Sequence, residues 1–153
     1  MKVLILFAAA MQLLIAPALA DGFYVYTMYL LSQEMWGFFH NEPTCDLVNQ
    51  SQDIYKTKPD VSWKQGVSCD GEGCPFSKRN PEKIDRLEFH TRWGHYTYYK
   101  NREGKIVDTD DKVVGFCYPS AMKDTDFDCP MSWENSEHML GAISLWCSTT
   151  IWK

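Results

Sequence analysis

The chain has 153 residues, 45% of them apolar, with six cysteines and a formal net charge of −5. That acidic balance argues against general nucleic-acid binding or adhesion to an anionic membrane through the net field. There is no phosphate-cradling glycine loop and no Gly-x-Ser-x-Gly elbow, so no cofactor is expected and no standard nucleophile presents itself.

Residues 1–20 read as a secretory signal peptide. Lys2 is the basic start, Val3 to Ile15 the apolar stretch, and Ala18-Leu19-Ala20 puts small residues at the cleavage positions. Removing these 20 from 153 leaves a single domain of 133 residues, 21–153, with no membrane anchor. Losing Lys2 takes the net charge to −6. A secreted, extracellular location follows.

The first strand is expected over Phe23–Leu31, a long β-prone run, and a second over Trp36–His40, connected through Ser32-Gln33-Glu34. A helix is expected near 43–54. Pro43 and Thr44 supply its start and Asp46 suits its first turn, although Asn49, Ser51 and Asp53 are poor interior helix residues. Cys45 and Val48 or Asn49 would share one face, so the cysteine would tie the helix to the sheet. Asn49-Gln50-Ser51 is a glycosylation sequon, which asks for an exposed Asn49.

Lys56 to Asn80 is punctuated by proline and glycine and reads as loop, with one short strand within Val61–Val67. Arg86 to Cys117 is a four-strand meander. Leu87, Phe89 and Thr91 alternate with Glu88, His90 and Arg92, the period of a strand with one buried face. With Trp93-Gly94 as the loop, Arg92 would face His95 and Phe89 would face Tyr98. Leu87, Phe89, Thr91, Tyr96 and Tyr98 then form the core face, and Glu88, His90, Arg92, His95, Thr97 and Tyr99 the polar one. Lys105–Val107 and Val113–Cys117 complete the meander around a polar turn at Asp108–Lys112. Pro119–Asn135 is expected to be irregular and Glu134–Leu140 to hold a helical turn. Gly141–Trp152 alternates again, with Ile143, Leu145, Cys147, Thr149 and Ile151 on one side. The sum is a mainly β (α+β) fold: an antiparallel β-sandwich or partly closed barrel carrying one helix.

The six cysteines, Cys45, Cys69, Cys74, Cys117, Cys129 and Cys147, are an even set in an exported chain and imply three disulfides. Short loops favour Cys69–Cys74 and Cys129–Cys147, which leaves Cys45–Cys117.

Glu88, His90, Arg92 and His95 form the candidate catalytic set. A carboxylate, two imidazoles and a guanidinium on one sheet face are the parts for general acid–base cleavage of a phosphodiester, Arg steadying the anion. Small secreted fungal ribonucleases and ribotoxins resemble this in residue types alone. A solvated hairpin face has the same composition. Metal binding by Glu88, His90 and His95 lacks a second shell, and no metal is expected. Asp124, Asp126 and Asp128 begin like a calcium loop, but Cys129 stands where the glycine belongs and Asn135 where the glutamate belongs. Trp36, Trp63, Trp93, Trp133, Trp146 and Trp152 would stack on sugars or anchor a protein wherever they are exposed.

Signal peptide, small acidic domain and six cysteines together resemble the small secreted cysteine-rich, effector-like proteins of fungi. The resemblance is one of build and implies an extracellular binding or interaction protein with a protein or glycan target. The alternatives are a small ribonuclease-like hydrolase and a carbohydrate-binding module.

Overall fold

The computed structural model describes residues 21–120, 122–132 and 137–151. The expected signal peptide lies outside them, as do Trp133, Trp152 and the first three residues of the expected turn at 134–140.

β1 (Gly22–Leu30) and β2 (Gln33–Phe39) form a hairpin over Leu31-Ser32, both left-handed at φ 49° and 62°. The turn is thus one residue shorter than the expected Ser32–Glu34 connection and starts one residue earlier. α1 spans only Cys45–Gln50, capped by the Thr44 hydroxyl, which accepts from the Leu47 N–H at 3.3 Å. The expected extension to 54 fails because Ser51 turns extended, its hydroxyl accepting from the Asp53 N–H. That is the local competition that makes serine a poor helix interior residue. β3 (Ile54–Lys56) then pairs with β2.

β4 is Gly66–Asp70, largely downstream of the expected position. β5 (Arg86–Thr91), β6 (Gly94–Tyr99), β7 (Lys105–Asp108) and β8 (Val113–Pro119) are the meander. β9 (Phe127–Pro130) lies in the stretch expected to be irregular, and β10 (His138–Thr149) replaces the helical turn with strand at His138–Leu140. β9 has no alternation to announce it; pairing with the start of β10 makes it a strand.

The sheet order is β3-β2-β1-β10-β8-β7-β6-β5-β4, with every named pairing antiparallel. The two ends nearly meet. A parallel bridge joins Thr57 to Val67, and the Lys58 N–H donates to the Val67 carbonyl at 2.8 Å. The result is a nearly closed barrel rather than a sandwich.

The barrel is filled by aromatic and branched side chains from all nine strands of that order, including Phe23, Trp36, Phe38, Leu87, Phe89, Tyr98 and Leu145. A second cluster lies on the outward side of β1, β2 and β10, where Tyr26, Met28 and Ile143 are covered by Val48 of α1 and by Cys129 and Met131 at and after β9. A bulge separates the two sets. Val25 pairs with Leu145 but Tyr26 pairs with Ile143, so Ser144 is the extra residue. Ile143 therefore leaves the face it was expected to share with Leu145 and Cys147. Ser144 is buried, its hydroxyl 2.6 Å from that of Thr27.

All six cysteines are paired, as Cys45–Cys129, Cys69–Cys74 and Cys117–Cys147. Only the shortest bridge matches the spacing argument. Cys117 and Cys147 are cross-strand partners, and Cys45 ties α1 to β9, an element absent from the expected layout.

Candidate functional site

Alternation along β5 and β6 sends Leu87, Phe89, Thr91 and Tyr98 inward, as expected. The loop is Arg92-Trp93, not Trp93-Gly94, so Phe89 pairs with Tyr96 and His90 with His95. Moving the loop by one residue changes every pairing by two positions. Two is the period of a strand, so both faces survive the error. Trp93 packs edge-on against Phe38 and Tyr55, and the Arg92 N–H donates to the Tyr55 hydroxyl at 3.2 Å.

Three of the four candidate residues come together on the outward face. The His90 and His95 rings stack at 5.0 Å between centroids and 5° between planes. His95 Nε2 lies 2.8 Å from Glu88 Oε1, and His90 Nδ1 lies 3.0 Å from the Val61 carbonyl. A carbonyl only accepts, so that contact assigns the proton to His90 Nδ1. The Glu88 carboxylate likewise assigns the His95 proton to Nε2. Arg86 bridges Asp70 at 2.8 Å and approaches Glu88 at 3.8 Å.

Arg92 does not join them. It turns to Asp53, with Nη2 donating to Oδ2 at 2.9 Å and Nε 2.8 Å from Oδ1 without good hydrogen-bond alignment. Burial raises the Asp53 carboxyl above its ordinary range, and the guanidinium only partly offsets this.

Glu88 and His95 border a shallow groove of about 270 Å³ that also meets Tyr99, Asp108 and Asp111. Its charged groups are already engaged. Asp108 Oδ1 accepts the Asp110 and Lys112 N–H groups, and Arg102 grips Asp111 at 2.6 and 3.1 Å while lying over Tyr99. The hydrogen bonds of Arg102 hold the Asp111 carboxyl below its usual range. Glu88 and His95 can exchange a proton. What a phosphodiester needs beside them, a guanidinium free of carboxylates, is missing from this groove, and three carboxylates would repel the anion.

The other candidates separate as well. Asp126 accepts the Ile143 N–H and faces Arg79, while Asp128 pairs with His138. Among the described residues, no three His, Cys, Asp or Glu side chains are placed to share a metal ion. Asn49 is half-buried rather than exposed, its amide donating to the Pro130 carbonyl at 3.2 Å.

The tryptophans divide sharply. Trp36 is buried, whereas Trp63 is 91% exposed on the loop before β4. Trp146 is 38% exposed beside Tyr118 at 51%; they are register partners on β10 and β8, with rings 6.1 Å apart and 22° from parallel. Phe116 projects beside them. The outward alternation of Trp146 was legible in the sequence, but its pairing with Tyr118 was not.

Fold and surface define a disulfide-stapled, nearly closed antiparallel β-barrel with an aromatic strip on its outer wall. The chain matches no protein-family model, no curated protein and no solved structure at a significant level. No helix among the described residues is long and apolar enough to cross a membrane.

Proposed function

We propose that this is an exported binding protein of the small cysteine-rich, effector-like kind, acting on an extracellular protein or glycan through the outer wall of β8 and β10. The carrying observation is the strip of Phe116, Tyr118 and Trp146, three large apolar side chains standing where an outward strand face is ordinarily polar. Three disulfides with no free cysteine support an oxidising destination. The test is Tyr118→Ser/Trp146→Ser against the parent in binding to arrays of soluble glycans and extracellular proteins. Loss of a parent ligand with unchanged thermal unfolding supports this face. Retention of every ligand removes it.

The hydrolase reading keeps one favourable observation, the 2.8 Å Glu88–His95 contact beside a stacked His90. Cleavage of a defined single-stranded RNA by the parent, lost in a folded His90→Ala/His95→Ala variant, would put it first. Equal or absent cleavage eliminates it.

A further inference from the structure

The Cys69–Cys74 bridge closes a short loop at the end of β4 and launches the segment 75–81 across the outside of the barrel. Pro75 starts a tight turn there, its carbonyl accepting the N–H groups of Lys78 and Arg79. Arg79 is held at φ 34°, in the left-handed region that glycine enters without penalty. A residue with a β-carbon meets a steric penalty there, so the backbone is strained where this side chain is presented.

The guanidinium is also held from below. It lies 5.4 Å over the Phe76 ring, which stacks on Tyr29 of β1 at 5.7 Å. Glu34 of β2 fixes the Phe76 backbone by accepting its N–H at 3.0 Å. Two barrel strands thus aim one cation. Its charged contact is a single long one, 3.4 Å to Asp126 Oδ2, and the side chain is 52% exposed. Asp126 is itself committed to the Ile143 N–H. Arg79 is therefore positioned and only lightly engaged, with most of its fork directed elsewhere.

Cavities flank this bridge on both sides. One, of about 430 Å³, is walled by Phe76, Phe127 and Leu140; the other, of about 330 Å³, meets Lys78 and Ser120. Arg79 and Asp126 line both. Each volume falls within the roughly 300–1,000 Å³ of small-ligand sites.

We propose that this groove binds an apolar carboxylate: a planar monoanion received by the Arg79 fork with Lys78 beside it, carrying an aromatic or branched group into the Phe76–Phe127–Leu140 cavity. Charge decides the class. Asp126 and Asp128 border the groove and oppose a phosphate dianion, whereas a single carboxylate replaces the long Asp126 contact with a bidentate one. The carboxylate could be a peptide C-terminus or a free organic acid. The site shares no residue with the Phe116–Tyr118–Trp146 strip and stands or falls independently of it.

The test is titration of the oxidised protein, followed by NMR, with N-acetyl-L-phenylalanine, its C-terminal amide and 3-phenylpropionate. The acids are expected to bind with Kd on the order of 1 mM. The amide should bind at least about tenfold more weakly. Arg79→Gly should lose about tenfold in affinity for the acids while unfolding at the same or a higher temperature, because glycine relieves the positive φ. Arg79→Gln, which keeps the side-chain bulk, should lose affinity equally. Binding of N-acetyl-L-phenylalanine but not of 3-phenylpropionate supports the site and assigns it to peptide C-termini; comparable binding of both supports it for free acids. Equal binding of acid and amide, unchanged binding by either variant, or no saturable shift up to about 10 mM overturns the proposal.

Discussion

Cys117 and Cys147 sit directly opposite one another on β8 and β10, Cα atoms 4.0 Å apart, both buried in the barrel. The bond clamps the strand that ends the meander to the last described strand of the chain. Of the three bridges it closes the loop of intermediate length: 30 residues, against 84 for Cys45–Cys129 and 5 for Cys69–Cys74. Loop-closure entropy then predicts costs of about 4–5 kcal/mol for losing Cys45–Cys129, about 3–4 for Cys117–Cys147 and about 2 for Cys69–Cys74. Urea titration of the three paired-alanine variants checks the order. A larger loss at Cys69–Cys74 than at Cys45–Cys129 would mean that native packing, not chain entropy, governs.

The Thr27–Ser144 contact is a buried hydroxyl pair beside the β1–β10 bulge. Replacing one partner strands the other. Thr27→Val and Ser144→Ala should each cost about 1–3 kcal/mol, and the double variant clearly less than their sum. A strictly additive double-mutant cycle would deny the coupling.

Gly104 has φ 76°, and a β-carbon there would come within 2.4 Å of the Cys117 carbonyl. The same two residues share a hydrogen bond, Cys117 N–H to Gly104 carbonyl at 2.7 Å. Gly104→Ala should therefore destabilise the protein by about 1–3 kcal/mol or more, through strain and a displaced β7–β8 connection. Denaturation showing a neutral change would contradict this geometry.

Asp53 supplies a pH signature. Its carboxyl is raised from 3.8, chiefly by burial. The unfolded chain gives up this proton at a lower pH than the folded chain does. Between those two values the folded state holds more protons, so this residue's contribution to stability falls as pH rises through the ordinary carboxylate range and upward. Asp53→Asn removes that slope. Relative to the parent, the variant should gain stability from about pH 3 toward about pH 6. Urea midpoints across that range decide the matter, and a relative loss with rising pH would show that the Arg92 pairing outweighs burial.

Much of the barrel wall was legible because alternation is local. Leu87, Phe89 and Tyr98 identify their own faces, and even a misplaced loop preserved them by parity. The polar face was legible for the same reason, which is why Glu88, His90 and His95 do meet. Arg92 escaped that logic because it is a loop residue whose direction is set by Asp53, 39 positions away. The loops that carry Arg79 and Asp126 were legible as irregular segments, and Asp126 and Asp128 as an acidic cluster, but the groove they build was not: its walls come from the loop before β5, from β9 and from β10.

The sequence alone determined a β-rich chain with paired cysteines, a short capped helix and one apolar face along the central hairpin, since these depend on residue type and spacing over a few positions. Tertiary structure alone decided the near-closure at Thr57–Val67, the bulge at Ser144, two of the three disulfides, and the meeting of Tyr118 with Trp146. Each of these joins segments distant in the chain. Such contacts are selected by how the whole sheet curls and packs, a property that no local pattern of residues encodes.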